Sequence, residues 1–177
     1  MLQNKGWEIL ITRLYQQYRR GRKRTVGTYQ IFHDGKRTNL WGMTAESPGP
    51  GDNSKPGNHR CVEAKTYPLN THAGEHYVTY GYTDGGPSDF PKPAVELSNT
   101  GRRKAILIHP GHDFLASIGC INLTSALPYD EDIAWEDSRE RVIDMIEDMK
   151  KYLGHKFPDK NGKLIPGASV VIEELKS

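Results

Sequence analysis

Cysteine is scarce: Cys61 and Cys120 are the only two in 177 residues, too few for the disulfide framework that staples small secreted folds. No stretch approaches the roughly eighteen consecutive apolar residues of a membrane-spanning helix, and Met1 to Trp7 is polar where a signal peptide places its apolar run. The chain is therefore expected to have no membrane span, to be cytoplasmic as synthesised, and to reach a periplasm or a target-cell wall only by a non-classical route. Internal repeats and low-complexity tracts are also lacking. The basic run Arg19 to Arg24 (RRGRKR) has no interleaved aromatics and belongs to no recognisable nucleic-acid fold, so it reads as a solvated hairpin loop with no nucleic-acid partner.

What remains suffices for one domain over residues 1–177. At 36% hydrophobic and 26% charged, a chain of this length buries a sound core without metals or disulfides. Eighteen glycines, eleven prolines and nine tyrosines with a mean hydropathy of -0.69 describe many turns and short strands, hence a mainly β fold, sandwich-like or barrel-like, of the α+β class. The net charge of +2 hides a polarity. Residues 1–40 carry nine Lys/Arg against Glu8 and Asp34, whereas residues 129–150 carry nine acids against three basic side chains, so the two regions are placed to face one another or different partners.

Trp7 to Tyr18 and Thr25 to Phe32 read as the strands of a hairpin, and Asp34-Gly35 is a type I′ turn signal leading to a third strand over Arg37 to Thr44. Gly49 to Asn58 and Asp84 to Pro93 are loops by composition, with a strand between them at His76 to Tyr82. Lys104 to His109 (KAILIH) is an apolar strand ending at a histidine followed by Pro110-Gly111, and Ile118 to Leu123 (IGCINL) is a second short apolar segment able to lie beside it. Val142, Met145, Ile146, Met149, Tyr152 and Leu153 fall at helical spacing, which predicts an amphipathic helix over 138–153, N-capped by Ser138 and stopped by Gly154. A last strand is expected over 169–175, it and the helix packing on a core formed by residues 7–125.

A cysteine nucleophile needs a base, a turn that exposes its sulfur, and N–H groups to receive the oxyanion. His109 at a strand end, Gly119 and the N–H of Cys120 supply one of each, and Ser117, Asn122, Asp113 or a main-chain carbonyl are the alternatives for orienting the imidazole. Against this stands the packed-core reading that suits most cysteines in apolar segments. Two metal readings are weaker. His72-Ala73-Gly74-Glu75-His76 has the H-x-x-E-H pattern of a zinc helix, but Pro68, Asn70 and Gly74 disfavour a helix there; His109, His112 and Cys120 follow no familiar ligand spacing. No metal and no cofactor is expected.

The stretch Ile108-His109-Pro110-Gly111 … Ser117-Ile118-Gly119-Cys120-Ile121-Asn122 resembles the catalytic stretch of YkuD-like L,D-transpeptidases, H-x(14 to 17)-[ST]-H-G-C-[IV]-R. ILIH, GCI and the upstream TVGTY, DG and TAESP are more similar still to a bacterial and phage domain family of unassigned function related to those enzymes; the likeness covers residues 9–125. The resemblance implies a β-rich catalytic domain in which His109 is base and Cys120 nucleophile, with Gly119 and Ser117 in the catalytic turn, Asn122, Gly111 and His112 at substrate-binding positions, and a peptidoglycan stem peptide as substrate. Ile118 replaces the second histidine of that motif, Asn122 its arginine, and the His-to-Cys spacing is shorter, which favours hydrolysis over transfer. The alternative is a non-catalytic glycan- or protein-binding module, a phage or secretion-system part, with the same fold.

Overall fold

A computed structural model describes residues 1–174; Leu175, the end of the expected last strand, lies outside the described residues. The chain opens with two long strands, β1 (Trp7–Arg19) and β2 (Arg22–His33), joined by Arg20-Gly21, and continues through Asp34-Gly35 into β3 (Lys36–Glu46). Both two-residue connections have positive φ at both positions, 47° and 77° at the first, 48° and 77° at the second. That is the type I′ geometry whose twist matches paired strands, and glycine supplies the second position without a Cβ penalty. The basic hairpin loop is therefore only two residues long; its other arginines lie in strands.

Six shorter strands follow: β4 (Thr66–Thr71), β5 (Tyr77–Val78), β6 (Lys92–Pro93), β7 (Val95–Leu97), β8 (Leu107–His109) and β9 (Ile121–Thr124). Among the described residues a single α-helix, α1 (Trp135–Leu153), precedes the last strand, β10 (Leu164–Glu174). Eight strands close into a barrel in the order β1-β10-β4-β7-β8-β9-β3-β2, with β5 and β6 a separate parallel pair. The fold is mainly β with one C-terminal helix, the barrel rather than the sandwich form of that class. Among the described residues, closure gives every strand of the main sheet a neighbour on both sides. β10 does not lie on a finished core: it is a stave of the barrel, parallel to β1 from Trp7↔Ala168 to Arg13↔Glu174 and antiparallel to β4.

One contiguous apolar core joins barrel and helix, with Trp7, Ile9, Ile11, Ile31, Leu97, Ile108, Ile121 and Leu123 meeting Val142, Met145, Ile146 and Met149. The helix starts at Trp135, three residues before the expected cap. Ser138 is buried within its first turn instead, where its Oγ accepts from the Gly111 N–H (2.8 Å) and donates to the Leu123 carbonyl (2.5 Å), tying α1 to β9 and to the loop after β8. Ser138→Ala leaves two buried main-chain groups unpaired, and a loss of about 1–3 kcal/mol is expected, read as a urea midpoint shift at unchanged slope. Gly154 ends the helix at φ 57°, its N–H bonding the Lys150 carbonyl.

The two charged regions meet. Arg19 pairs with Asp132 and donates to the Asp130 carbonyl, so the basic hairpin is docked against the acidic stretch that leads into α1. Where β3 and β10 end beside the middle of β1, a second charged cluster forms around a buried pair: Arg13 donates through Nε and Nη2 to both oxygens of Glu46 (2.9 and 2.7 Å) and through Nη1 to the half-exposed Glu174 (2.9 Å).

Candidate functional site

The two apolar segments flanking the His–Cys stretch do lie side by side, as the parallel pair β8 and β9, with Ile108 opposite Ile121 and His109 opposite Asn122. Ile108 and Ile121 enter the core, so by the two-residue pleat their neighbours His109 and Asn122 project to the other face. The strands are shorter than the composition suggests. Ala105 at φ 52° delays β8 until Leu107, and Cys120 stands in the turn immediately before β9.

His109 and Cys120 line one open cleft of about 890 Å³, together with Tyr77, His112, Ser117 and Ile118. His109 is buried, its ring packed under Tyr77 with centroids 4.4 Å apart. Its Nδ1 is 2.7 Å from the Pro110 carbonyl, an acceptor only, so Nδ1 carries the proton and Nε2 the lone pair. Of the alternatives for orienting the imidazole, the main-chain carbonyl makes the short bond, with Asn122 Nδ2 3.5 Å from the same nitrogen. Burial, with the nearby Lys92 charge, lowers the His109 pKa from 6.5 to about 4, so the ring is neutral across the physiological range.

Cys120 is half-buried and free, as is the buried Cys61; the two form no disulfide. Its sulfur accepts from the Leu107 N–H (3.3 Å) and its thiol points to the Ala105 carbonyl (3.6 Å). Among the described residues it makes no hydrogen bond to His109. Burial outweighs the Leu107 N–H and the Arg103 charge and raises the thiol to about 11. The resting pair is thus a thiol and a neutral imidazole on one cleft wall rather than a thiolate–imidazolium ion pair, and a proton can leave the sulfur only in concert with attack on a substrate.

The positions around the pair divide. Ser117 lines the cleft but donates to the Cys120 carbonyl (2.9 Å), bracing the turn rather than the imidazole. Of the three positions assigned to substrate binding, only His112 reaches the cleft, with its Nδ1 on Asp113 (2.9 Å). Asn122 is fully buried and donates to the His109 carbonyl (3.1 Å), so it cannot touch a substrate. Gly111 packs so tightly on Asn122 that a Cβ would stand 2.7 Å from its Cγ, and its N–H is committed to Ser138.

Gly119 does not make room for a substrate carbonyl. At φ 93°, its missing Cβ is the space in which the Arg103 guanidinium sits, 1.8 Å from where that carbon would be. Its N–H donates to Ser47 Oγ (2.8 Å), which removes it as an oxyanion donor. Arg103, almost wholly buried, holds the carbonyls of Arg60 (2.8 Å), Asp52 (3.2 Å) and Ile118 (3.4 Å). Gly119→Ala strains the backbone and expels this guanidinium together; a loss of about 3 kcal/mol or more is expected, read by calorimetry.

Four contributors went unmarked in the sequence reading. Ser47 lies in the TAESP stretch, so the motif held the signal. Tyr77 sits in the strand-like run after His76, with no feature to single it out. Lys92, 6% exposed, has its ammonium 4.4 Å from the Phe90 ring centroid and 5.1 Å from that of Trp135, and Arg103 binds carbonyls of remote loops. Neither is legible from local pattern. The H-x-x-E-H residues form no helix: His72 follows β4 with its Nδ1 on Glu96 (2.8 Å). Among the described residues, no three His, Cys, Asp or Glu side chains are grouped to hold a metal ion.

No family model, curated protein or solved structure matches the chain.

Proposed function

We propose that the chain is a cysteine-dependent hydrolase of peptide bonds, with the peptidoglycan stem peptide as substrate and Cys120 as the acylated residue. One observation carries the reading: a partly accessible thiol and an imidazole whose free nitrogen is Nε2 share the wall of one open cleft. A substrate carbonyl entering between them aligns the groups, since catalytic hydrogen bonds often tighten only in the complex. His109 Nε2 takes the thiol proton as the sulfur adds to the carbonyl carbon, and the oxyanion is received by the Cys120 N–H. Collapse breaks the C–N bond, the imidazolium returns the proton to the leaving amine, and an acyl-thioester remains. Water, deprotonated by His109, then releases the acid and restores the thiol.

The test is intact-protein mass spectrometry after incubation with purified muropeptides, alongside mass analysis of the products. A mass gain confined to Cys120 with shortened muropeptides supports the reading; wild-type protein that stays unmodified and leaves the muropeptides unchanged overturns it. The second reading, a non-catalytic module that binds glycan or protein, is favoured by the high thiol pKa and the lack of a resting thiol–imidazole bond. Muropeptide binding without any product is its signature.

A further inference from the structure

Asn122 cannot reach a substrate, yet its amide lies against the turn that delivers His109. The parallel register of β8 and β9 sets the two residues opposite one another on the outer face of the barrel, and both are buried there. Asn122 Nδ2 donates to the His109 carbonyl (3.1 Å) and stands 3.5 Å from His109 Nδ1. On its other side the amide meets Gly111, where a Cβ would come 2.7 Å from Asn122 Cγ and 2.8 Å from its Oδ1. Gly111 is itself tied to Ser138 through its N–H. The side chain therefore fills the space between the His109 carbonyl and Gly111, and any shift of the amide is felt at both ends of the turn.

Packing alone does not account for an asparagine at this place. Its Oδ1 is buried without a hydrogen-bond partner among the described residues, a cost that a leucine of similar shape avoids. What the amide supplies and a leucine does not is an N–H beside the ring. Nδ2 is the atom that meets both the His109 carbonyl and Nδ1, so this side offers the imidazole a donor and no acceptor. The Nδ1 proton is left with the Pro110 carbonyl (2.7 Å), and the lone pair stays on Nε2. We infer that Asn122 is a positioning residue for His109: its amide fixes the turn and the ring tautomer that leave Nε2 free to take the thiol proton. The inference deepens the hydrolase reading above and rests on it for the use made of Nε2, whereas the state of the ring is a property of the free protein.

The experiment reads the tautomer of each of the seven histidines in long-range nitrogen–proton NMR spectra of the full-length, isotope-labelled protein, with His109→Gln assigning the set that belongs to His109. The unmutated protein is expected to show one His109 tautomer, protonated on Nδ1, and through-space contacts between the Asn122 amide protons and the His109 ring. A proton on Nε2, or no such contact, overturns the inference without any variant. Asn122→Leu keeps the volume and removes the donor. It is expected to mix the two tautomers and to lower kcat for muropeptide cleavage by about 10²-fold, the scale of an ångström of misplacement. KM should stay within about two-fold, because the residue touches no substrate. A folded Asn122→Leu protein that keeps the single tautomer overturns the inference, and the unmutated spectrum decides where that variant does not fold. Turnover separates this from the parent reading. If Asn122→Leu cleaves muropeptides as fast as the unmutated protein, the hydrolase stands and the positioning role falls. Mixed tautomers in the variant, with no cleavage by either protein, remove the hydrolase and leave the hold of the amide on the ring.

Discussion

Cys120→Ala is expected to abolish muropeptide cleavage, by roughly 10⁴-fold or more, because no other nucleophile is placed to form the acyl-enzyme. His109→Gln keeps the size and polarity of the ring position but cannot take the thiol proton, and a loss of about 10²- to 10⁴-fold is expected. The pH profile distinguishes this site from one with a preformed ion pair. His109 is a base only when neutral, and burial lowers its pKa to about 4. The acid limb of kcat/KM should therefore fall with a midpoint near 4 rather than 6.5. On the alkaline side the thiol stays protonated until about 11, so activity should be flat from roughly pH 5 to 9. Alkylation by iodoacetamide needs the thiolate and should be slow at pH 7, rising towards pH 11. An alkylation rate already maximal at pH 7, or an acid limb of kcat/KM near 6.5, would show a different base or a different resting state.

The same histidine links stability to pH. Its folded pKa lies below the 6.5 of an exposed ring, so between those values the unfolded state binds more protons and stability falls as pH falls. The term is fully present above 6.5 and lost by about 4, amounting to about 3 kcal/mol. In His109→Gln this component of the pH dependence should vanish, measured by urea denaturation across that window.

The largest effect on folding is expected at the barrel mouth. Glu46 is fully buried and both its oxygens receive Arg13, itself 2% exposed. Glu46→Ala strips the guanidinium of its bidentate partner inside the fold, and removing one member of a buried pair costs about 3–5 kcal/mol. Glu174 still accepts from Arg13 Nη1 and is half open to solvent, which places the expected loss near the lower figure, a fall in Tm of roughly 6–12 °C. Replacing both partners with apolar residues of similar volume, Arg13→Met with Glu46→Leu, leaves no orphaned charge. The double variant should be more stable than Glu46→Ala, and a double variant as unstable as the single one would show that the pair itself, rather than its imbalance, holds the mouth together.

Where the sequence carried local chemistry, its reading of the fold was close. Asp34-Gly35 set a turn because glycine accepts positive φ, Gly154 stopped the helix for the same reason, and the β-branched and aromatic content of Trp7 to Tyr18 marked a strand. Element ends were less legible. Ser138 has the composition of an N-cap, yet burial against Leu123 and Gly111 used its hydroxyl for tertiary bonds and let α1 begin at Trp135. Residues drawn from one short motif also misled: Gly119, Gly111 and Asn122 look like site residues because they flank Cys120 and His109, but Gly119 is filled by Arg103, the Gly111 N–H is taken by Ser138, and Asn122 is buried against Gly111 and the His109 carbonyl.

By itself the sequence determined a β-rich chain with one amphipathic helix, and it placed a histidine and a cysteine at the ends of two adjacent apolar segments, since these follow from side-chain period and turn chemistry within a few residues. Only the tertiary structure decided that β10 closes the barrel beside β1, that Pro110 leaves Nε2 as the free nitrogen of His109, and that Cys120 rests as a thiol. The closure and the thiol state depend on which distant groups share a buried volume, and the Pro110 bond on the orientation of the His109 ring packed against Tyr77; desolvation and hydrogen-bond competition act through space and leave no mark on the local order of residues.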